Sequence, residues 1–149
     1  MQIGDKMPPV LGLDQNGNQI KSEDLRGEKV VLYFYPKDMT SGCTAQACSI
    51  RDGYEELRKA GYKVIGVSVD SAKRHIKFIE KNELPFDLIA DENHELVNAF
   101  GVWVEKKMYG RAYMGILRTT FIFDQEGILE RIIDSKAIKT ATHFEQIIS

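Results

Sequence analysis

A chain of 149 residues, 43% hydrophobic and 28% charged, is long enough to bury its own core and reads as a single domain spanning residues 1–149. Its net charge of −2, with both signs interspersed, excludes the basic stripe of a nucleic-acid surface and the acidic tail of a charged-partner protein. No apolar run reaches the roughly 18 residues of a membrane span. Residues 1–6 also lack a signal peptide's apolar stretch, so no membrane association and a cytoplasmic location are expected.

Residues 10–21 contain Asn16-Gly17, a turn signal between two short strands. Residues 29–35 hold the unbroken run Val30-Val31-Leu32-Tyr33-Phe34-Tyr35, ended by Pro36. Such a run predicts a strand buried on both faces. Ala47, Ile50, Tyr54 and Leu57 recur at spacings of three and four, which predicts one helix over 44–60, closed by Gly61. A second buried strand is expected over 62–69. Ser71 is a candidate N-cap for a helix carrying Ile76 and Ile79. Pro85 stops that helix before a short strand over 86–89, and a further helix over 94–100 ends at Gly101. A strand over 119–123, a turn at Asp124-Gln125-Glu126-Gly127 and a returning strand over 128–133 precede a final helix over 140–148. This order describes an α/β fold with a mixed sheet between helices.

Two cysteines, Cys43 and Cys48, stand five residues apart. In a reducing compartment a close pair is more often catalytic, redox-active or metal-binding than a static crosslink. Cys43 falls just past a strand's carboxyl end, where open α/β sheets bind ligands, and beside the first turn of the next helix. Unpaired backbone N–H groups there favour an anion, and the thiolate is the nucleophilic form of cysteine. Gly42 allows close approach of a small ligand. Thr40 offers a hydroxyl to a thiolate or to a ligand oxygen, and the Pro36 ring can screen the sulfur from water. Arg118 precedes the strand over 119–123. If that strand neighbours the one over 29–35, Arg118 would aim its guanidinium at Cys43 as a fixed cation.

The order Pro36, Thr40, Cys43 after a buried aromatic strand resembles the active-site loop of the peroxiredoxins. The Cys43–Cys48 spacing resembles the bacterioferritin-comigratory-protein or Q-type subfamily, as do Phe100-Gly101-Val102-Trp103 and Arg118-Thr119-Thr120-Phe121. Ser41 departs from the pattern, since many members carry proline there. The resemblance implies a thioredoxin-like three-layer sandwich with an N-terminal β-hairpin extension. It implies Cys43 as the peroxidatic cysteine and Cys48 as the resolving one, with Pro36, Thr40 and Arg118 completing the peroxide site. It also implies thioredoxin or a similar dithiol as reductant, no bound metal or cofactor, and a monomer. The thiolate of Cys43 would cleave the O–O bond of a hydroperoxide and become a sulfenic acid, and Cys48 would condense with it to a disulfide.

Helix geometry constrains that second step. Five residues along a helix rise roughly 7.5 Å and turn about 140°, which sets the two Cα atoms about 8–9 Å apart. A disulfide needs about 4.4–6.8 Å. The segment from Cys43 to about residue 51 must therefore unwind, and Gly53 is a candidate limit of the moving piece.

Without the resemblance, each residue has a plainer reading. The cysteines could be small buried hydrophobes, Arg118 a surface charge and Thr40 a helix cap. His75, His94 and His143 fall on three helices, outside any ligand spacing, and read as solvated or partly packed residues. Trp103 and Tyr109 read as loop packing, and Lys37 and Asp38 as exposed loop charges. Three rival functions are a disulfide oxidoreductase, a metal carrier and a peroxide sensor. The first would show Cys-x-x-Cys and a proline before the facing strand, where this chain has Arg118-Thr119-Thr120. The second would need a third ligand, for which Met39 is the only neighbour.

Overall fold

The computed structural model describes residues 1–149. A five-stranded sheet runs in the order β5 (Asp87–Ala90), β4 (Tyr62–Ser68), β3 (Lys29–Phe34), β8 (Thr119–Phe123), β9 (Leu129–Ile133). Strands β3, β4 and β5 are parallel, and β8 and β9 are antiparallel to their neighbours, so the sheet is mixed. The aromatic run is its centre because alternate side chains feed two cores. Val30, Leu32 and Phe34 join one apolar cluster, and Val31, Tyr33 and Tyr35 join the other.

The second cluster is covered by α1 (Ser41–Asp52), α2 (Tyr54–Lys59), α3 (Ala72–Asn82) and α5 (His143–Ile148). The first is covered by α4 (Glu95–Ala99) and by the N-terminal hairpin of β1 (Val10–Leu13) and β2 (Gln19–Lys21). This is the expected three-layer sandwich with its hairpin extension. Asp14 Oδ1 closes the Asn16-Gly17 turn by accepting from the backbone N–H of Asn16 and Asn18.

Three expectations need correction. The helix expected over 44–60 begins three residues earlier and is two helices, broken at Gly53. A Cβ at Gly53 would lie 2.1 Å from Cδ1 of Phe144, so the α5 ring rests directly on the backbone there. On α3, which carries Ile76 and Ile79 as expected, the buried residues are His75 and Phe78, Ile79 packs against the second cluster and Ile76 is 37% exposed; Ser71 caps that helix as expected, accepting from Arg74 N. The last helical segment is shorter than expected, a 3-10 turn over Thr140–Thr142 leading into α5. Between α4 and β8 stands a separate hairpin, β6 (Trp103–Met108) and β7 (Arg111–Ile116), where the sequence pointed only to loop packing. Tyr109 is 99% exposed at its tip and packs against nothing. Both turn residues have positive φ, 52° at Tyr109 and 78° at Gly110, as a two-residue hairpin turn requires.

Candidate active site

The register between β3 and β8 builds the site. Phe34 lies opposite Thr119, so Arg118 comes level with the carboxyl end of β3. Residues 36–40 leave that end, pass through Met39 in the left-handed region (φ 67°), and turn into α1 at Thr40. Thr40 is the N-cap by backbone geometry, and its carbonyl accepts the first helical bond from Thr44 N. Ser41 is the first helical residue, a position that suits proline equally well. Cys43 is the third, so its N–H lies among the first-turn donors that no helical carbonyl serves.

Cys43 is 1% exposed. Nη2 of Arg118 donates to its Sγ at 3.3 Å, while Nη1 donates to Oε1 of Gln46 at 2.5 Å. One guanidinium thus bridges the sulfur and a side chain one turn further along α1. A charged donor so placed stabilises negative charge on sulfur. A Cβ on Gly42 would stand 3.4 Å from the same Nη2, an ordinary van der Waals contact. The Thr40 hydroxyl does not cap the helix; it donates to the Lys37 carbonyl at 3.0 Å, which leaves its oxygen free to accept. Pro36 is half-buried beside this loop.

Cys48 also lies on α1, half-buried, with its thiol 3.8 Å from Oδ1 of Asn82 at the end of α3. Both cysteines are free, and both sit on one continuous helix, the arrangement in which they cannot bond.

The sequence reading missed several residues around this centre. Gln46 and Tyr33 are almost fully buried, yet Gln46 Nε2 and the Tyr33 hydroxyl have no hydrogen-bond partner. Burial, reinforced by Cys43 and Asp38 nearby, pushes the Tyr33 phenol well above its usual range, so it stays neutral. Partial burial, and next the Arg118 charge, lower the Lys106 ammonium, with Cys43 opposing. Asp38 is not an exposed charge but 1% exposed, held by Tyr35 and His75. His75 and His143 are likewise fully buried rather than solvated. His143 bridges Thr120 and Gln146, and only His94, stacked on Trp103 at 4.3 Å, fits a partly packed reading. Neither polar cluster follows a repeating pattern, so neither leaves a signal in the sequence. Asp38, Asp70 and His75 are the one group with metal-ligand proximity, but their lone pairs are committed to hydrogen bonds within the protein.

A sheet of this topology, with an arginine-faced cysteine at a helix start, defines a thioredoxin-fold thiol enzyme. Residues 3–132 match the AhpC/TSA family model, and the chain belongs to that family. It is 42% identical to peroxiredoxin Bcp of Escherichia coli over 149 residues, covering 100% of this chain and 94% of that protein. Against peroxiredoxin Bcp of Bacillus subtilis it is 46% identical over 143 residues, 96% and 90% of the two chains. Peroxiredoxin Q of Xanthomonas campestris superposes with a TM-score of 0.85 at 36% identity, over 95% of this chain and 87% of that one. PrxQ of Xylella fastidiosa gives 0.89 at 29%, over 99% and 93%. The chain is therefore a peroxiredoxin of the Bcp/PrxQ group, a thiol peroxidase. No helix is long and apolar enough to cross a membrane.

Proposed function

We propose that Cys43 is the peroxidatic nucleophile and Cys48 the resolving cysteine of a single-domain, atypical 2-Cys peroxiredoxin. The observation that carries this is the 3.3 Å contact between Arg118 Nη2 and Cys43 Sγ at the start of α1. The Cys43 thiolate attacks the nearer oxygen of a hydroperoxide, the O–O bond breaks, and the leaving oxygen takes a proton to depart as water or alcohol. Arg118 and the first-turn N–H groups stabilise the charge developing on the oxygens. Thr40 accepts from the peroxide O–H, and Pro36 limits water at the sulfur. The Cys48 thiolate then attacks the sulfenic sulfur, expelling hydroxide that is protonated to water, and forms a disulfide. Thioredoxin or a similar dithiol reduces it by exchange.

Hydrogen peroxide and organic hydroperoxides are both substrates in this reading; alkyl peroxide reduction is named for the related bacterioferritin comigratory protein of Xanthomonas campestris. The enzyme works as a cytoplasmic monomer, because a disulfide within one chain needs no partner subunit. Peroxide consumption with thioredoxin and its reductase tests the assignment. Cys43→Ser is expected to be inert, and Cys48→Ser to consume one equivalent and stop. Turnover by Cys43→Ser would exclude the reading, and loss of the first equivalent in Cys48→Ser would mean the roles are misassigned.

A further inference from the structure

The most heavily bonded residue near the site is one that the peroxidase chemistry leaves unused. Asp38 lies in the loop over 36–40, two residues past Pro36 and two before Thr40. Its carboxylate Oδ1 accepts from the Tyr35 hydroxyl at 2.5 Å, and Oδ2 lies 2.7 Å from Nδ1 of His75 on α3. Its backbone N–H donates to Asp70 Oδ2 at 2.8 Å, and its carbonyl accepts from Arg74 Nη2 at 3.1 Å. Asp70 is itself fixed by the Ser68 hydroxyl and by Arg74 Nε. Every polar group of one loop residue is thus held, from the ends of β3 and β4 and from α3.

The His75 contact carries a defined proton. Nε2 lies 2.9 Å from the Ile89 carbonyl, which can only accept, so Nε2 bears a hydrogen. Two bare lone pairs at 2.7 Å would repel, so one further proton lies between Nδ1 and Oδ2. Both side chains are fully buried. Such a pair is poor value as a stabilising device, since an apolar pair of similar volume is often at least as stable. What it supplies is fixed geometry. The next residue, Met39, adopts a left-handed φ of 67°, a conformation that persists outside glycine only where its surroundings over-determine it. Thr40 and the start of α1 follow directly.

We propose that Asp38 and His75 are positioning residues for the peroxide step: their buried pair pins the loop over 36–40 and so sets Thr40 and the Cys43 helix start in reacting geometry. The inference rests on the reading of Cys43 as nucleophile. The pair also anchors the loop outside α1, so the loop holds its place while the helix behind it unwinds.

The test is the second-order rate constant for the first equivalent of hydrogen peroxide, measured by rapid mixing on reduced full-length protein, beside the urea midpoint of each variant. The double variant Asp38→Ala/His75→Leu removes both polar groups together. It leaves the Tyr35 hydroxyl and the Ile89 carbonyl without these partners, so a lowered but measurable midpoint is expected, together with a reaction at least tenfold slower. Asp38→Asn can accept from Tyr35 through its oxygen and donate to neutral His75 through its amide, and is expected to stay within threefold of native. A double variant within threefold of the native rate constant overturns the proposal. If it fails to fold, Asp38→Ser decides: its side chain stops short of His75, it is expected to be tenfold slower than Asp38→Asn, and equal rates overturn the proposal. Cys43→Ser separates the two levels. Peroxide consumption by that variant defeats the nucleophile assignment, whereas an inert Cys43→Ser with a fast double variant defeats the positioning role alone.

Discussion

The ring of Phe144 lies flat against Gly53, so close that a methyl group there would meet Cδ1, Cε1 and Cγ of the ring at 2.1–2.3 Å. This contact stops α1 and sets α5 across the junction with α2. Two effects of Gly53→Ala oppose one another. Alanine gains up to about 1 kcal/mol of helix propensity, while overpacking costs about 1–3 kcal/mol. The contact lies at a helix break and involves the ring's root, so overpacking wins. Urea unfolding of Gly53→Ala is expected to show a net loss of about 1–2 kcal/mol, and the same substitution made in a Phe144→Ala background is expected to cost little beyond the loss of the ring itself.

The same junction divides the chain's mobility. Residues 43–51 are expected to lose amide-exchange protection when the Cys43–Cys48 disulfide forms. The segment around Leu57 on α2, itself fully buried, is expected to keep it. Equal protection of residues 43–50 in the reduced and disulfide forms would contradict unwinding of α1.

Arg118→Ala is expected to slow the first peroxide step by about 10²–10³-fold, the usual cost of a lost charged donor at a reacting oxygen. It also strips the only partner from Gln46, whose amide nitrogen already has none. Arg118→Lys keeps a charge but cannot reach Cys43 and Gln46 together, so an intermediate rate is expected in the same rapid-mixing measurement.

His143 gives stability a pH dependence. Burial, opposed by the Gln146 hydrogen bond and aided by the Arg118 charge, holds its imidazole below the usual range, so the folded state favours the neutral ring. Between the folded value and the unfolded value of about 6.5, the unfolded chain binds the extra proton. The stabilisation is fully present above about pH 6.5 and is lost as pH falls through the folded value. Urea midpoints from pH 7.5 to 5 are expected to fall, and the fall is expected to shrink in His143→Gln.

Tyr33→Phe removes a buried hydroxyl that has no partner. Deleting an unsatisfied group relieves a desolvation penalty of about 1–3 kcal/mol. An unchanged or higher urea midpoint is expected, and a drop of more than 1 kcal/mol, taken as roughly one hydrogen bond, would show that the hydroxyl is bonded in solution.

Much of this architecture is written in side-chain periodicity. The strands at Lys29–Phe34 and Thr119–Phe123 are legible because each is an apolar run bounded by polar or turn residues. Their pairing brings Arg118 to Cys43 as the strand-neighbour argument requires. The β6–β7 hairpin is not legible. Its turn residue Tyr109 takes a positive φ without the usual Asn or Asp, and its strands alternate weakly because half of β6 and most of β7 are exposed. Asp38 and His75 are hidden for another reason. Each is polar at a position that composition assigns to the surface, and each is made buriable by partners distant in sequence, among them the other, 37 residues away. The break at Gly53 belongs to the same class, since the ring that demands glycine comes from the far end of the chain.

Arg118 and Cys43 are 75 residues apart, and four further strands and four α-helices lie in the chain between β3 and β8. A chain emerging from the ribosome exposes Cys43 long before its guanidinium exists. During that interval the sulfur lacks the charged donor that favours its thiolate. On the proposed reading of Cys43 as nucleophile, pairing of β8 with β3 supplies that donor, so completion of the sheet times the onset of its reactivity.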